Sequence, residues 1–248
     1  MNKIVTYFTI ATASFAFALS IWNDITLSII IAISCVLLTL LGYVLENFIK
    51  TSGNEVLNKI IYIFSKNDKD YNILQKTAIY TYLGNDQYEF KKEYQISPQR
   101  KDLDRINDRF KWSGDDNGCK ITPLRPDHSI NNTWQQENWR CYSIYFNQNC
   151  QLKHPYIVGS KITNLIDKSK SAVPFLSNSI GKKTKCLTLV VVFPQKHHPK
   201  RAKFEVFSSY SELNPNFKEE LTYDEDINGF KKTIHYPRKG WKYVISWK

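Results

Sequence analysis

The sequence predicts an N-terminal two-helix transmembrane hairpin followed by a mostly β soluble domain, an antiparallel sandwich or barrel of about nine strands with one short helix. Three observations lead there. Two charge-free apolar runs open the 248-residue chain, short β-branched and aromatic runs bounded by turn residues fill most of the remainder, and helical spacing of apolar residues is rare in that remainder. The boundaries follow as 1–48 for the hairpin, 49–70 for a juxtamembrane amphipathic helix and linker, and 71–248 for a cytoplasmic β-rich sensor or interaction domain.

Residues 4–22 supply 19 uncharged positions and residues 25–45 supply 21. Each run can cross a hydrocarbon core of about 30 Å at about 1.5 Å per residue. Asn23-Asp24, beside Trp22, suits a hairpin tip at the membrane interface. Lys3 and the terminal amine precede the first run, and Lys50 and Lys59 follow the second, so both termini are expected on the cytoplasmic side of the inner membrane. A signal peptide cleaved near Ala16-Phe17-Ala18 is the competing reading, and it would still leave the second run to deliver the rest inward. On either reading the acceptor sequence Asn131-Asn132-Thr133 stays unglycosylated. Thr12, Ala16 and Ser20 form a small-residue stripe that permits close helix approach, within one hairpin or between chains of a homo-oligomer. Neither run carries an ionisable residue, which argues against an ion pathway built from one copy.

The first 49 residues hold only Lys3, Asp24 and Glu46 as charges, a net of −1 out of the chain's +11, so the rest of the chain carries +12. Such an excess favours anionic partners such as phospholipid head groups, nucleotides or nucleic acid. Five cysteines, with no CxxC pair and one inside an apolar run, point to reduced thiols in a cytoplasmic compartment and away from a disulfide framework.

Val56, Leu57, Ile60, Ile61, Ile63 and Phe64 recur at helical spacing after Asn54, a candidate N-cap, and Asn67 to Asp70 read as a charged turn. This helix is expected to lie on the inner leaflet or against its counterpart in a second chain. Gly84-Asn85-Asp86 separates two alternating runs, 78–83 and 87–96, as a hairpin turn does. Ser97-Pro98 followed by Leu103, Ile106 and Phe110 gives the one short helix of the β domain. Further strands are expected at 119–122, 140–146, 156–166, 185–193, 203–209, 230–236 and 241–247. The last alternates Trp241, Tyr243, Ile245 and Trp247 against polar neighbours, so the chain ends inside its fold.

Catalytic signatures are absent: the sequence has no GxSxG, HExxH or GxxxxGK[ST], and its nine glycines form no dinucleotide loop. The five histidines lack metal-ligand spacing, and no cofactor or metal is expected. Asp102, Asp104 and Asp108 alternate with Arg100, Lys101, Arg105 and Arg109 on the expected helix, as a solvated self-neutralising face would. Asp224-Glu225-Asp226 reads as a turn between strands. The strongest candidate ligand site is the basic segment 194–203, where Lys196, His197, His198, Lys200, Arg201 and Lys203 are the candidate anion ligands. Arg238 with Lys239, and Lys182, Lys183 and Lys185, form separate basic tips that would complete an anion-binding rim if they converge. Trp134 and Trp139 offer a stacking platform for a base or, as the simpler role, packing under a long loop.

Two N-terminal spans with a short tip and a cytoplasmic β-rich domain resemble the two-transmembrane, β-strand-rich effectors of prokaryotic cyclic-oligonucleotide antiphage defence systems. The resemblance lies in the layout of the whole chain and carries over no binding residue. It implies a β domain that senses a nucleotide second messenger and spans that assemble to breach the inner membrane. The expected function is thus a membrane-anchored, non-enzymatic effector that binds an anionic ligand, with the lipid bilayer and further copies of itself as partners and no duplex nucleic acid. The alternative is a membrane-anchored scaffold whose β domain docks a protein partner. An anchored hydrolase would need carboxylates or histidines brought together by the fold.

Overall fold

The computed structural model describes residues 36–37, 55–114, 118–146, 150–166, 174–194 and 199–248. The chain divides into two compact units, Met1–Leu57 and Asn58–Lys248. Apart from the helical and exposed pair Val36 and Leu37, both expected membrane spans lie outside the described residues. Among the described residues no helix is long and apolar enough to cross a membrane.

Helix α1 (Glu55–Phe64) forms where the apolar spacing predicts it. The rest of the second unit is mostly β. A six-stranded sheet contains β1 (Tyr71–Gly84), β2 (Gln87–Pro98), β4 (Lys120–Pro123), β7 (Tyr156–Ile166), β9 (Thr184–Val192) and β12 (Gly229–His235), in the order β12-β9-β1-β2-β7-β4. A four-stranded sheet holds β8 (Phe175–Ser179), β10 (Ala202–Phe207), β11 (Phe217–Leu221) and β13 (Lys242–Trp247), in the order β11-β10-β13-β8. A three-stranded sheet orders β3 (Arg105–Phe110), β6 (Trp139–Phe146) and β5 (His128–Gln136) as β3-β6-β5.

The large sheet serves two cores. Leu187, Leu189, Val191 and Phe230 of β9 and β12 pack with Phe204, Ile245 and Trp247 of the four-stranded sheet. Ile96, Val158 and Ile162 of β2 and β7 pack with Ile106, Tyr142 and Ile144 of the three-stranded sheet. Tyr88, Phe90 and Trp112 touch both clusters. Strand β9, apolar without alternation, is an interior strand of the large sheet, parallel to β1 and antiparallel to the edge strand β12.

All nine expected strands form, and the hairpin turn at Gly84-Asn85-Asp86 closes β1 on β2, with Asn85 at φ 52° and Asp86 at φ 58° as a type I′ turn requires. Three expectations are corrected. The helix expected after Ser97-Pro98 is instead the end of β2 and the strand β3. Ile106 and Phe110 are four apart, which satisfies both a helical repeat and a two-residue alternation, and their burial follows the alternation. Thirteen strands form among the described residues, because β3, β5, β8 and β11 join the nine. Strands β8 and β11 are five-residue edge strands, and β5 is polar and mostly exposed, so none carries a strong apolar signal. The large sheet is also mixed, not antiparallel throughout, since β1 and β9 pair in parallel after a long crossover.

Strand β13 is held on both sides, by β10 and by β8, and buries Tyr243, Val244, Ile245 and Trp247. Truncating one buried side chain of this size costs roughly 2–5 kcal/mol, against a total of about 5–15 kcal/mol for a domain. Deletion of residues 243–248 is therefore expected to abolish the cooperative thermal transition; an unchanged melting temperature contradicts the assignment.

Candidate functional site

Strand alternation carries charge into the interior. On β2, Tyr94 and Ile96 face inward with Phe90, and Lys92 shares their phase. On β1, Ala78 and Tyr80 face inward, and Lys76 shares theirs. Register pairing sets Lys76 opposite Tyr94 and Ala78 opposite Lys92, so two lysines stand side by side on the inner face of the large sheet. From the facing sheet, β3 presents Asp108 in phase with Ile106 and Phe110.

Lys92 and Asp108 form a buried ion pair whose side chains are 5% and 10% exposed. The Lys92 ammonium donates to Asp108 Oδ1 at 3.0 Å and Oδ2 at 3.2 Å, and to the Arg109 carbonyl. The Tyr142 hydroxyl donates to Asp108 Oδ2 at 2.8 Å and shares a 2.7 Å hydrogen bond with Ser160 Oγ. Burial opposes ionisation of Asp108, but Lys92, Lys76, the Tyr142 hydroxyl and the Arg109 amide outweigh it and hold the carboxyl below its ordinary range. Desolvating two charges costs several kcal/mol, and the filled hydrogen-bond set is what makes the pair tolerable.

Above this pair opens a cavity of about 750 Å³. That is within the roughly 300–1,000 Å³ of ordinary ligand pockets. It lies between two sheet edges, β3 of the three-stranded sheet and β8 of the four-stranded sheet. Its walls are aromatic, with Tyr80, Trp112, Trp134, Trp139 and Tyr210 among them. Among the described residues its charged lining is Lys76, Lys92, Arg109, Lys111 and Lys182 against Asp108, and Asp108 is already committed to Lys92. Lys76 makes no ion pair or hydrogen bond among the described residues and has the Tyr94 ring 5.3 Å from its Nζ. Burial, then the positive charges of Lys92 and Arg109 against the opposing pull of Asp108, lower its ammonium to about 8. An anion entering the cavity would meet an uncommitted cation already stripped of much of its water.

One wall of the cavity is also a clamp on α1. Ile180, Gly181, Lys182 and Gly240 line the cavity, and their two loops are joined by the hydrogen bonds Ile180 N to Trp241 O at 3.0 Å and Gly240 N to Ile180 O at 2.7 Å. The neighbouring residues of the same loops grip the helix and the segment after it. Arg238 Nε donates to Asn58 Oδ1 at 2.7 Å, and Lys183 Nζ donates to the Ser65 carbonyl at 2.8 Å and lies 4.7 Å from the Tyr62 ring. Asp68 accepts from the Lys183 amide and from Lys239 Nζ at 3.0 Å. Asp68 stays below its ordinary carboxylate range because these partners outweigh its burial. Tyr62 packs against Tyr236 with the rings tilted at 52° and their centroids 5.2 Å apart.

The basic residues singled out in the sequence thus fall into separate places. Arg238, Lys239, Lys182 and Lys183 come together around α1 and Asp68. Lys200, Arg201 and Lys203 lie where β10 begins, beside the far end of β13. The six residues of β13 separate the two groups, roughly 20 Å. Lys196, His197 and His198 lie outside the described residues. The polar surroundings of Trp134 and Trp139 prove to be a β5–β6 hairpin and not a long loop, with the Arg109 guanidinium 4.4 Å from the Trp139 ring. Asp102 and Asp104 are solvated beside Arg100 and Arg105 as expected, whereas Asp108 is buried. Sequence reasoning passed over Lys76 and Lys92 and placed Asp108 on a solvated face, although a signal existed: each occupies the apolar phase of an alternating strand.

Cys119, Cys141, Cys150 and Cys186 are free thiols, and no three His, Cys, Asp or Glu side chains gather as a metal-ligand set among the described residues. No protein-family model matches the sequence, and no curated protein matches it significantly. Solved structures with similar backbones include an M1 zinc metallopeptidase from Deinococcus radiodurans, at 8% identity and TM-score 0.39, covering 73% of this chain and 43% of that one. Another is LTA4 hydrolase from yeast in complex with bestatin, at 9% identity and TM-score 0.39, covering 72% of this chain and 29% of that one. This chain spans less than half of either protein, and a likeness at this TM-score defines neither a common fold nor a common activity.

Breaking the buried pair by Asp108→Asn leaves the Lys92 ammonium without its counter-charge, an expected loss of about 3–5 kcal/mol in chemical denaturation. A loss under about 1 kcal/mol, the value of an exposed pair, contradicts the buried assignment.

Proposed function

We propose that this chain is a membrane-anchored effector whose β domain binds an anionic ligand in the cavity between β3 and β8. Ligand binding shifts the clamp on α1, chains oligomerise, and the regrouped N-terminal spans disrupt the inner membrane in antiviral defence. One observation carries the reading: the loops around Lys182 and Gly240 line the cavity on one side and hold α1 on the other. A ligand that draws on Lys76, Arg109 or Lys182 acts on the same loops that fix the helix, and α1 directly follows the predicted spans in the chain. Aromatic walls and surplus positive charge suit a flat, phosphate-bearing ligand, of which a cyclic oligonucleotide is the candidate that the layout of the chain suggests. In this reading the ligand sits in the cavity, while Arg238 and Lys239 act on α1 and not on the ligand.

A second reading, a scaffold that docks a protein partner, is favoured by the two strand edges flanking the cavity, β3 and β8, which pair with no further strand among the described residues. Their free backbone groups offer an extended peptide a ladder on either side.

Calorimetric titration of the detergent-solubilised full chain with cyclic di- and trinucleotides, and separately with an acidic extended peptide, distinguishes the two readings. Lys76 is charged below pH 8 and neutral above, so nucleotide affinity is expected to be full below pH about 8 and to fall as pH rises through it. Lys76→Met is expected to remove that binding and, in bacterial cells reported by a potential-sensitive dye, the depolarisation that the nucleotide triggers. Binding of the peptide alone favours the scaffold. Cells that keep their potential with every nucleotide contradict the effector.

A further inference from the structure

Helix α1 is packed the wrong way round for a helix that belongs to the core. Asn58, Tyr62 and Ser65, at spacings of four and three, make its contacts with the β domain through Arg238, Tyr236 and Lys183. The opposite arc carries Ile60, Ile61, Ile63 and Phe64, exposed by 46%, 38%, 60% and 85%. A ten-residue helix is marginal by itself and normally owes its order to burying its apolar face. Here polar and aromatic contacts hold the helix, and the apolar face points outward.

From this inverted packing we infer that the outward face of α1 is a membrane-docking surface that seats Ile60, Ile63 and Phe64 at the boundary between lipid head groups and acyl chains. Two observations select lipid over a second copy of the chain. Lys59 lies on the helix next to Ile60, and Lys66 and Lys69 follow within five residues of its end, all three exposed. That row suits anionic head groups and repels its own copy. The helix also begins ten residues after Leu45, the end of the second apolar run, which sets it within reach of the same leaflet. The inference rests on the membrane-anchored part of the proposed function and adds a second, reversible contact with lipid. The clamp of Arg238, Lys183 and Lys239 then holds the domain to a helix lying in the leaflet.

The test places a photoreactive probe in the full chain, reconstituted into vesicles of phosphatidylethanolamine with phosphatidylglycerol. Phe64→p-benzoylphenylalanine perturbs no packing, and Leu37→p-benzoylphenylalanine, within the second predicted span, is the control. After illumination, a lipid-mass adduct at both positions is expected. The Lys59→Glu, Lys66→Glu double variant is expected to cut the adduct at position 64 several-fold and to leave the one at position 37 unchanged. A chain-to-chain crosslink at position 64 assigns the face to a second copy and overturns the inference. An adduct at position 37 with none at position 64 also overturns it and spares the anchoring, whereas adducts at neither position overturn both.

Discussion

A charge pair buried between two sheets is the constraint around which this domain is organised. Lys92 rises from the six-stranded sheet and Asp108 descends from the three-stranded one, with Tyr142 and Ser160 filling the remaining hydrogen bonds. Such a pair contributes little net stability, since its Coulombic gain is spent against desolvation, but it tolerates only one geometry. It ties β3 to β2 across the core, and the edge of β8 stands across the cavity from the edge of β3. The cavity is the space left between them. Because Asp108 is satisfied by Lys92, the neighbouring Lys76 has no counter-ion of its own among the described residues, and it becomes the cation that a ligand would find.

The same division of labour runs through the basic residues. A net charge of +11 invites the idea of one broad anion-binding surface, yet the cations do different jobs. Lys92 is structural. Arg238, Lys183 and Lys239 hold a helix whose own apolar face gives the domain nothing. Lys76 and Arg109 face the cavity, and Lys182 stands at its edge next to the clamp. The joined loops at 180–183 and 238–241 make the wall of the cavity and the grip on α1 one element.

Much of the architecture was legible in the sequence because two-residue alternation is a local signal. Nine strands, the type I′ hairpin at Asn85-Asp86, the terminal strand and α1 all follow from pattern and turn chemistry. Strand β3 did not, since Ile106 and Phe110 fit two periods and the charges between them imitate a solvated helix. Strands β5, β8 and β11 are short or polar, and pairing rather than side-chain character holds them. The site was harder to read. Clusters of like residues along the sequence drew attention to 196–203, whereas the cavity takes Lys76, Lys92 and Asp108 singly from three strands, and only the sheet order brings them together. The legible trace was a lone charge at an inward strand position, which is costly unless something pairs with it or uses it.

Lys76 lines a cation-rich cavity and has no counter-ion of its own among the described residues. The most direct measurement is the pH titration of its side chain by carbon-detected NMR of the lysine Cε, with the resonance assigned by Lys76→Met. A midpoint near 8, moving upward when an anionic ligand binds, is the predicted result. A midpoint at the ordinary lysine value of about 10.4, unmoved by ligand, would mean that the cavity is open to water and uncharged in effect, and would contradict the account.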